Sequence, residues 1–167
     1  SMLPWDYNLA FGTYALGREE LPDDATTHVN QPIDTPAPGE VMLGRPLYHN
    51  LLLVDGYHAR YRELLDELVS GYFESGRFEA ELARVARMIS PYVAVDPTAF
   101  VSHAEFLEGV GALREFCLLR AESVRAQLEG RIPATIAGQE EDPTARVDAS
   151  HVDLRDLGSL EDLFGGG

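Results

Sequence analysis

The sequence predicts a mainly α-helical fold with a short β segment near the N-terminus. Apolar residues recur at helical spacing over most of residues 46–130. Aromatic and other β-compatible residues occupy residues 5–12, and Gly12 ends that segment. The 167 residues are 45% hydrophobic and 25% charged, which is typical of a globular domain with its own core. The single cysteine, Cys117, excludes an internal disulfide, so the fold depends on that core.

The charge balance excludes several classes of function. Asp and Glu number 28 against 13 basic residues, giving a formal net charge of −15. A nucleic-acid-binding protein held by phosphate contacts is excluded, and docking on an anionic membrane surface is disfavoured. No apolar run approaches the roughly 20 residues that span a bilayer, so no membrane span is expected. All the basic residues are Arg, so chemistry that requires a lysine of this chain is absent.

The first residues carry no targeting signal, because no basic region leads into an apolar one. Ser1-Met2 is typical of a cloning remnant and directly precedes a strand-like segment. We therefore expect the chain to be a piece of a longer protein.

A long loop is predicted for residues 13–45, because prolines and turn residues interrupt every helical period there. Loops of this length inside a compact domain are commonly functional or disordered. A short first helix is expected to begin at Pro46, whose missing N–H suits a first helical turn, and to end at Asp55-Gly56.

Two longer helices are predicted next from the spacing of their apolar residues. The second helix is expected from about Tyr57 to Phe73, with Gly76 as its stop. The third is expected from about Phe78 and should stop or kink at Pro91.

The fourth predicted helix has the clearest start signal in the chain. Ser102-His103-Ala104-Glu105 is a capping box, and Gly130 is the expected C-terminal stop. Beyond it, residues 131–167 are predicted to be an acidic, largely irregular tail, with Val152 to Phe164 as a candidate docked segment. The expected apolar face of the helix consists of Phe106, Val110, Leu113, Cys117, Val124 and Leu128.

Asp6 is the first candidate for chemistry. It lies between Trp5 and Tyr7, and the alternation of a strand would place Asn8 on the same face. A carboxylate and an amide oxygen suit a hard cation such as Mg²⁺. The alternative is that both side chains cap local backbone, and the residues alone favour that alternative.

A family resemblance reverses that preference. Residues 4–12, Pro-Trp-Asp-Tyr-Asn-Leu-Ala-Phe-Gly, resemble the signature of the CotH kinase family, named for the bacterial spore-coat protein H. Residues 30–36, Asn-Gln-Pro-Ile-Asp-Thr-Pro, and residues 45–47, Arg-Pro-Leu, are similar to further stretches of the family. The tail from Ser150 to Leu157-Gly158-Ser159 is similar to the family as well.

The resemblance implies an atypical protein kinase that uses ATP and Mg²⁺ to phosphorylate Ser or Thr of a protein substrate. Spore-coat proteins are the implied substrates in spore formers, and the spore coat or the cell surface is an implied location. Asp6 then corresponds to the metal-binding aspartate, with Asn8 in a supporting role. Asp34 is expected to cap a turn before Thr35-Pro36 or, alternatively, to position the long loop.

The resemblance also implies that parts of the catalytic machinery lie upstream. No glycine-rich loop or lysine is present, and in the family the catalytic aspartate precedes the Trp-Asp motif. Residues 1–130 are therefore expected to be the C-terminal, C-lobe-like helical part of an atypical kinase-like domain, with no catalytic residue of its own and no activity alone. The alternative is a non-catalytic helical module for protein interaction.

The remaining candidates are weak. Cys117 is expected to be a small buried hydrophobe, and the tyrosines of the helices are expected to pack rather than to bind ligand. The histidines lack the spacing of metal ligands and are expected at surfaces or caps, although His49 and His58 could meet across a turn. They are His28, His49, His58, His103 and His151.

Overall fold

The computed structural model describes residues 25–35, 50–99 and 101–157. Within these ranges the secondary structure is helical and no strand is present, which confirms the mainly α fold. The expected β segment at residues 5–12 lies outside the described residues. The α-helices are α1 (Thr26–Val29), α2 (Asp55–Leu68), α3 (Arg77–Val93), α4 (His103–Leu128) and α5 (Ile136–Glu141). Residues 50–52 are also helical, whereas the expected helix start at Pro46 lies outside the described residues.

The second predicted helix exists but changes its winding partway. Helix α2 continues directly into a π-helix, Val69–Glu74, which apolar periodicity does not reveal. Gly76 then ends the helical run at a φ of 76°, and its N–H donates to the Phe73 carbonyl at 3.0 Å. A left-handed conformation of this kind favours glycine, so the predicted stop is confirmed.

Helix α3 does not stop at Pro91, where it was expected to stop or kink. Pro91 lies inside the helix, which ends at Val93. The N–H of Ala94 then donates to the carbonyl of Ser90 at 3.0 Å. Pro91 has no N–H to donate to the carbonyl four residues earlier, and the helix continues only two residues beyond it.

Helix α4 has the predicted caps at both ends. The N–H of Ser102 donates to Glu105 Oε2 at 2.7 Å, and the N–H of Glu105 donates to Ser102 Oγ at 3.2 Å. At the other end Gly130 has a φ of 74°. The N–H of Arg131 donates to the Ala126 carbonyl at 2.8 Å, as in a Schellman motif.

The chain divides into two compact units. The described residues of the first unit are 25–28, 79–117 and 148–157, and those of the second are 29–35, 50–78 and 118–147. The core of the second unit contains buried Ile33, Val69 and Val124, with three partly buried apolar residues packed against them. Those three are Leu65, Leu128 and Ala134.

The first unit has its own buried residues, and part of the predicted tail is among them. Val152 and Leu154 are buried, and the N–H of Ala25 donates to the Val152 carbonyl at 3.1 Å. A 3-10 helix follows at Leu154–Leu157. A Cβ added at Gly109 would lie 3.0 Å from the Asp156 carbonyl, which shows how closely this stretch approaches α4.

Residues 131–147 belong to the second unit and include α5. The division of the chain at residue 130 remains a prediction. None of the helices among the described residues combines the length and the apolar character that crossing a membrane would require.

Candidate functional site

The two predicted metal ligands are not placed by the structure, because Asp6 and Asn8 lie outside the described residues. The stretches at residues 4–12 and 45–47 lie outside them too. The family-like stretch at residues 30–36 is described as far as Thr35. Among the described residues, no group of three or more His, Cys, Asp or Glu is arranged to hold a metal ion.

Residues 29–35, which we call the anchor segment, are held through their backbone by helix α4. The Gln127 side chain accepts from the N–H of Ile33 at 2.9 Å and donates to the Gln31 carbonyl at 3.3 Å. Arg120 Nη1 donates to the carbonyls of Val29 and Gln31, at 2.9 and 2.6 Å. Side chains of α4 therefore hold backbone groups of a segment that has no helix or strand of its own beyond Val29.

Asn30 connects the anchor segment to the chain that follows α4. Its amide donates to the Val147 carbonyl at 2.8 Å and its Oδ1 accepts from the Val147 N–H at 2.9 Å. Ser123 Oγ donates to the same Oδ1 at 3.1 Å, and the Gln139 amide donates to the Asn30 carbonyl at 2.8 Å. Asn30 and Ser123 are almost completely buried. Because buried polar groups without partners are costly, this network specifies one position for the segment.

Asp34 is the ionic centre of the anchor segment. Both of its carboxylate oxygens lie 2.9 Å from Arg62 Nη1, and Oδ1 also lies 2.8 Å from His58 Nε2. The N–H of Asp34 donates to the Ala134 carbonyl at 2.8 Å. Arg62 Nη2 in turn donates to the Leu128 carbonyl at 3.1 Å, at the C-terminal end of α4. Arg62 thus joins the anchor segment, α2 and α4.

The contacts of Asp34 therefore extend to side chains of α2. Asp34 was expected to cap a turn or to position a loop, and the partners observed here are consistent with positioning. His58 lies against Asp34, while His49 is outside the described residues, so the suggested pairing of the two histidines stays untested. Tyr61 completes the α2 contacts, because its hydroxyl donates to the Ile33 carbonyl at 3.0 Å.

Arg120 is a partly buried cation whose hydrogen-bond acceptors in the anchor segment are backbone carbonyls. Burial lowers the pKa of the Arg120 guanidinium, and Tyr61 raises it by a smaller amount. A guanidinium in this setting is costly to desolvate unless its N–H groups are satisfied. Its position therefore supports a structural role in holding Val29 and Gln31.

The other titratable candidates lie in the first unit. Burial raises the pKa of the Cys117 thiol to about 11, so the group is protonated at neutral pH and unreactive. His103 Nε2 lies 2.7 Å from Ser90 Oγ, and His151 Nε2 lies 2.9 Å from Glu115 Oε1. These histidines make pairwise contacts of the kind expected at surfaces and caps.

Sequence reasoning missed the polar residues that hold the anchor segment. The apolar face predicted for α4 has a gap between Cys117 and Val124, and Arg120 fills it at helical spacing. Gln127 occupies the next turn beside Leu128, with Ser123 one turn before it. A run of polar residues at core positions of a helix was the available signal, since buried polar groups need partners from elsewhere in the chain.

Comparison with protein families identifies the chain's relationship. A family model described as CotH kinase protein matches residues 1–124 of the 167. The matched range contains the Trp-Asp stretch, the anchor segment and most of α4. Searches of curated proteins and of solved structures gave no significant match. The chain belongs to the CotH kinase protein family.

Proposed function

We propose that the complete protein transfers the γ-phosphate of ATP to a Ser or Thr hydroxyl of a protein substrate. The observation that carries this proposal is the family match over residues 1–124, which includes the Trp-Asp stretch. In this reaction the bond from the γ-phosphorus to the ADP oxygen breaks and a bond to the acceptor oxygen forms. The hydroxyl proton passes to a carboxylate, which the family resemblance places upstream of Trp5.

We assign the metal site to Asp6, with Asn8 in a supporting role. Their carboxylate and amide oxygens are donors of the type that Mg²⁺ takes in nucleotide sites, where one or two carboxylates act together with the phosphates. Mg²⁺ bound with ATP would neutralise charge that develops on the phosphates. The role of Asp6 is to hold that ion through a negatively charged oxygen.

The described helices would act as the scaffold behind this chemistry. The hydrogen bonds from α4 to residues 29–35 hold a family-like stretch that lies within the same match as Asp6. The chain contains no lysine to hold phosphate oxygens. We therefore expect this chain alone to show no kinase turnover and only weak Mg²⁺ affinity.

The test is transfer of radiolabelled phosphate from ATP to dephosphorylated casein, measured for this chain and for the protein extended upstream. Asp6→Ala in the extended protein should abolish transfer while the far-UV circular dichroism spectrum stays unchanged, because a metal ligand acts in the reaction and not in the core. Asn8→Ala should reduce transfer less. The matched control is Glu108→Ala, which removes an exposed carboxylate from α4 and should leave transfer unchanged.

Two results would contradict this assignment. Transfer by the Asp6→Ala protein at the rate of the unaltered protein would show that Asp6 does not hold the metal. Robust transfer by this chain without upstream residues would show that the phosphate-binding parts are within it.

A second candidate function is a non-catalytic module for protein interaction. It is favoured by large apolar side chains that α2 exposes: Tyr57 is 60% accessible, and Leu64 and Leu68 are each 49% accessible. Exposed apolar residues on one helix are typical of interaction surfaces. If the extended protein binds no ATP and transfers no phosphate, this second function becomes the better account.

A further inference from the structure

We propose that helix α2 docks against α2 of a second copy of this chain, with the two helices antiparallel about a twofold axis. The surface concerned, which we call the α2 stripe, consists of Val54, Tyr57, Tyr61, Leu64 and Leu68. The inference does not depend on phosphate transfer, and it names a partner for the exposed apolar side chains of α2.

The α2 stripe has the spacing of a seam between paired helices. Its members follow one another at intervals of three, four, three and four residues, so they occupy the a and d positions of two heptads. Val54, Leu64 and Leu68 are each 49% accessible to solvent, and Tyr57 is 60% accessible. Tyr61 is half-buried. A narrow apolar arc along one side of α2 is therefore largely in contact with solvent in the single chain.

The α2 stripe is distinct from the side of α2 that contacts the rest of the second unit. Leu65 packs against the apolar core of that unit, and Arg62 and His58 contact Asp34 of the anchor segment. Tyr61 lies at the border, where its hydroxyl donates to a backbone carbonyl of that segment. Because α2 is already held in place by these contacts, a second copy meets a preorganised surface and little order has to be created on binding.

The charges beside the α2 stripe identify the second copy as its partner. Arg60 and Glu67 lie one heptad apart on the same flank, are 54% and 62% exposed, and contact each other at 3.1 Å. In an antiparallel pair with Tyr61 facing Leu64 of the second copy, Arg60 of each copy lies beside Glu67 of the other. In a parallel pair Arg60 would lie beside Leu65 of the second copy, which carries no charge. Charge complementarity therefore favours an antiparallel pair of identical chains.

The length of α2 limits the strength of this association. The helix has 14 residues and therefore spans about 21 Å. A contact made by one pair of such helices belongs to the small class of interfaces, below about 1,200 Å² of total buried surface. We therefore expect a reversible dimer with a Kd of about 10–100 μM.

The first experiment is sedimentation equilibrium of this chain and of the protein extended upstream, at concentrations below and above that Kd. The average mass of this chain should rise from 18.4 kDa towards twice that value, and the extended protein should show the same twofold rise. Leu64→Glu should raise the Kd about 30-fold or more, because it places two carboxylates at the centre of the contact. The matched control is Met88→Glu, which changes a 54% accessible side chain of α3 in the same way and should leave the Kd unchanged.

The second experiment tests the antiparallel orientation through the flanking charges. Arg60→Glu and Glu67→Arg should each raise the Kd about 10-fold, because each variant brings like charges together twice in its own dimer. An equimolar mixture of the two variants should recover the Kd of the unaltered chain, since two acidic positions of one chain then face two basic positions of the other. Both side chains are exposed, so far-UV circular dichroism should show no change in either variant.

Four results would overturn the inference, and none of them bears on phosphate transfer. A chain that stays monomeric at every concentration would show that the α2 stripe does not bind a second copy. A Leu64→Glu chain that pairs as tightly as the unaltered one would place the contact on another surface. An extended protein that stays monomeric while this chain pairs would show that upstream residues cover the α2 stripe. A mixture that pairs no more tightly than its two components would exclude the antiparallel orientation.

Discussion

Replacement of Gln127 by Leu should destabilise the protein although the two side chains are similar in size. Gln127 is 1% exposed, so its amide is removed from water. Its Oε1 accepts from the Ile33 N–H, and its Nε2 donates to Ser123 Oγ at 3.1 Å and to the Gln31 carbonyl. Leucine offers none of these bonds.

The magnitude follows from which partners lose their last contact. The Gln31 carbonyl keeps Arg120, so it remains paired. The Ile33 N–H loses the acceptor that Gln127 provides, and an unpaired buried N–H costs about 1–3 kcal/mol. The lost bond to Ser123 adds about 1 kcal/mol. We therefore expect the free energy of unfolding to fall by about 2–4 kcal/mol, since these two terms act together.

Urea denaturation followed by far-UV circular dichroism measures this change, with Glu122→Leu as the matched control on an exposed position of the same helix. The control should change the free energy of unfolding by less than about 0.5 kcal/mol. Amide hydrogen exchange at Ile33 should also become faster in Gln127→Leu. Equal stability of the two variants would refute the claim that the buried amide holds the anchor segment.

Three further changes test other parts of the description. Gly111→Ala should stabilise α4 by about 0.5–1 kcal/mol, because a Cβ there meets open space. Gly130→Ala should destabilise the protein by about 1–2 kcal/mol, because Gly130 has a φ of 74°. Thermal melts of the two variants should show shifts of opposite sign. Ser102→Ala should lower stability by about 1 kcal/mol through loss of the cap, and equal melting temperatures would contradict this. Cys117 should react with a thiol reagent at pH 8 much more slowly in the folded than in the urea-unfolded protein. Burial raises the pKa of the Cys117 thiol from 9.0 to about 11, so the thiol ionises in the unfolded chain before it ionises in the folded one. The free energy of unfolding should therefore fall as the pH rises from 9.0 to about 11, and this thiol should not affect it at lower pH.

The helices were predictable because their signals are local. The capping box at Ser102 and the glycines at positions 76 and 130 each act within one turn, so a short stretch of sequence contains all the relevant groups. The π-helix at Val69–Glu74 was not predictable in this way. Its hydrogen bonds join residues five apart rather than four apart, and over six residues this change leaves the spacing of Tyr72 and Phe73 still compatible with an ordinary helix.

The anchor segment could not be predicted because its partners are distant in sequence. Asn30 meets Val147 across 117 residues, and Ile33 meets Gln127 across 94. The sequence shows only that Asn, Gln and Asp occur in a proline-containing stretch. Such a stretch is as typical of a turn as of a segment held by distant side chains. The apolar pattern also misled in one respect. Of the face predicted for α4, Val124 is buried, while Val110 and Leu113 remain partly exposed.

The distribution of polar residues in α4 explains why its C-terminal half holds the anchor segment. Arg120 and Gln127 there bond to backbone groups of the anchor segment, and every residue type except proline has both a backbone N–H and a carbonyl. Side chains of α4 therefore set the position of the segment. The residue type within the segment matters mainly at Asn30 and Asp34, whose own side chains form hydrogen bonds. This arrangement makes a specific expectation for Asn30, whose side chain bonds both backbone groups of Val147. Asn30→Ala should leave the N–H and the carbonyl of Val147 without this partner and destabilise by about 2–4 kcal/mol in urea denaturation. A free energy of unfolding equal to that of the unaltered protein would show that the Asn30 side chain does not attach the segment to the chain that follows α4.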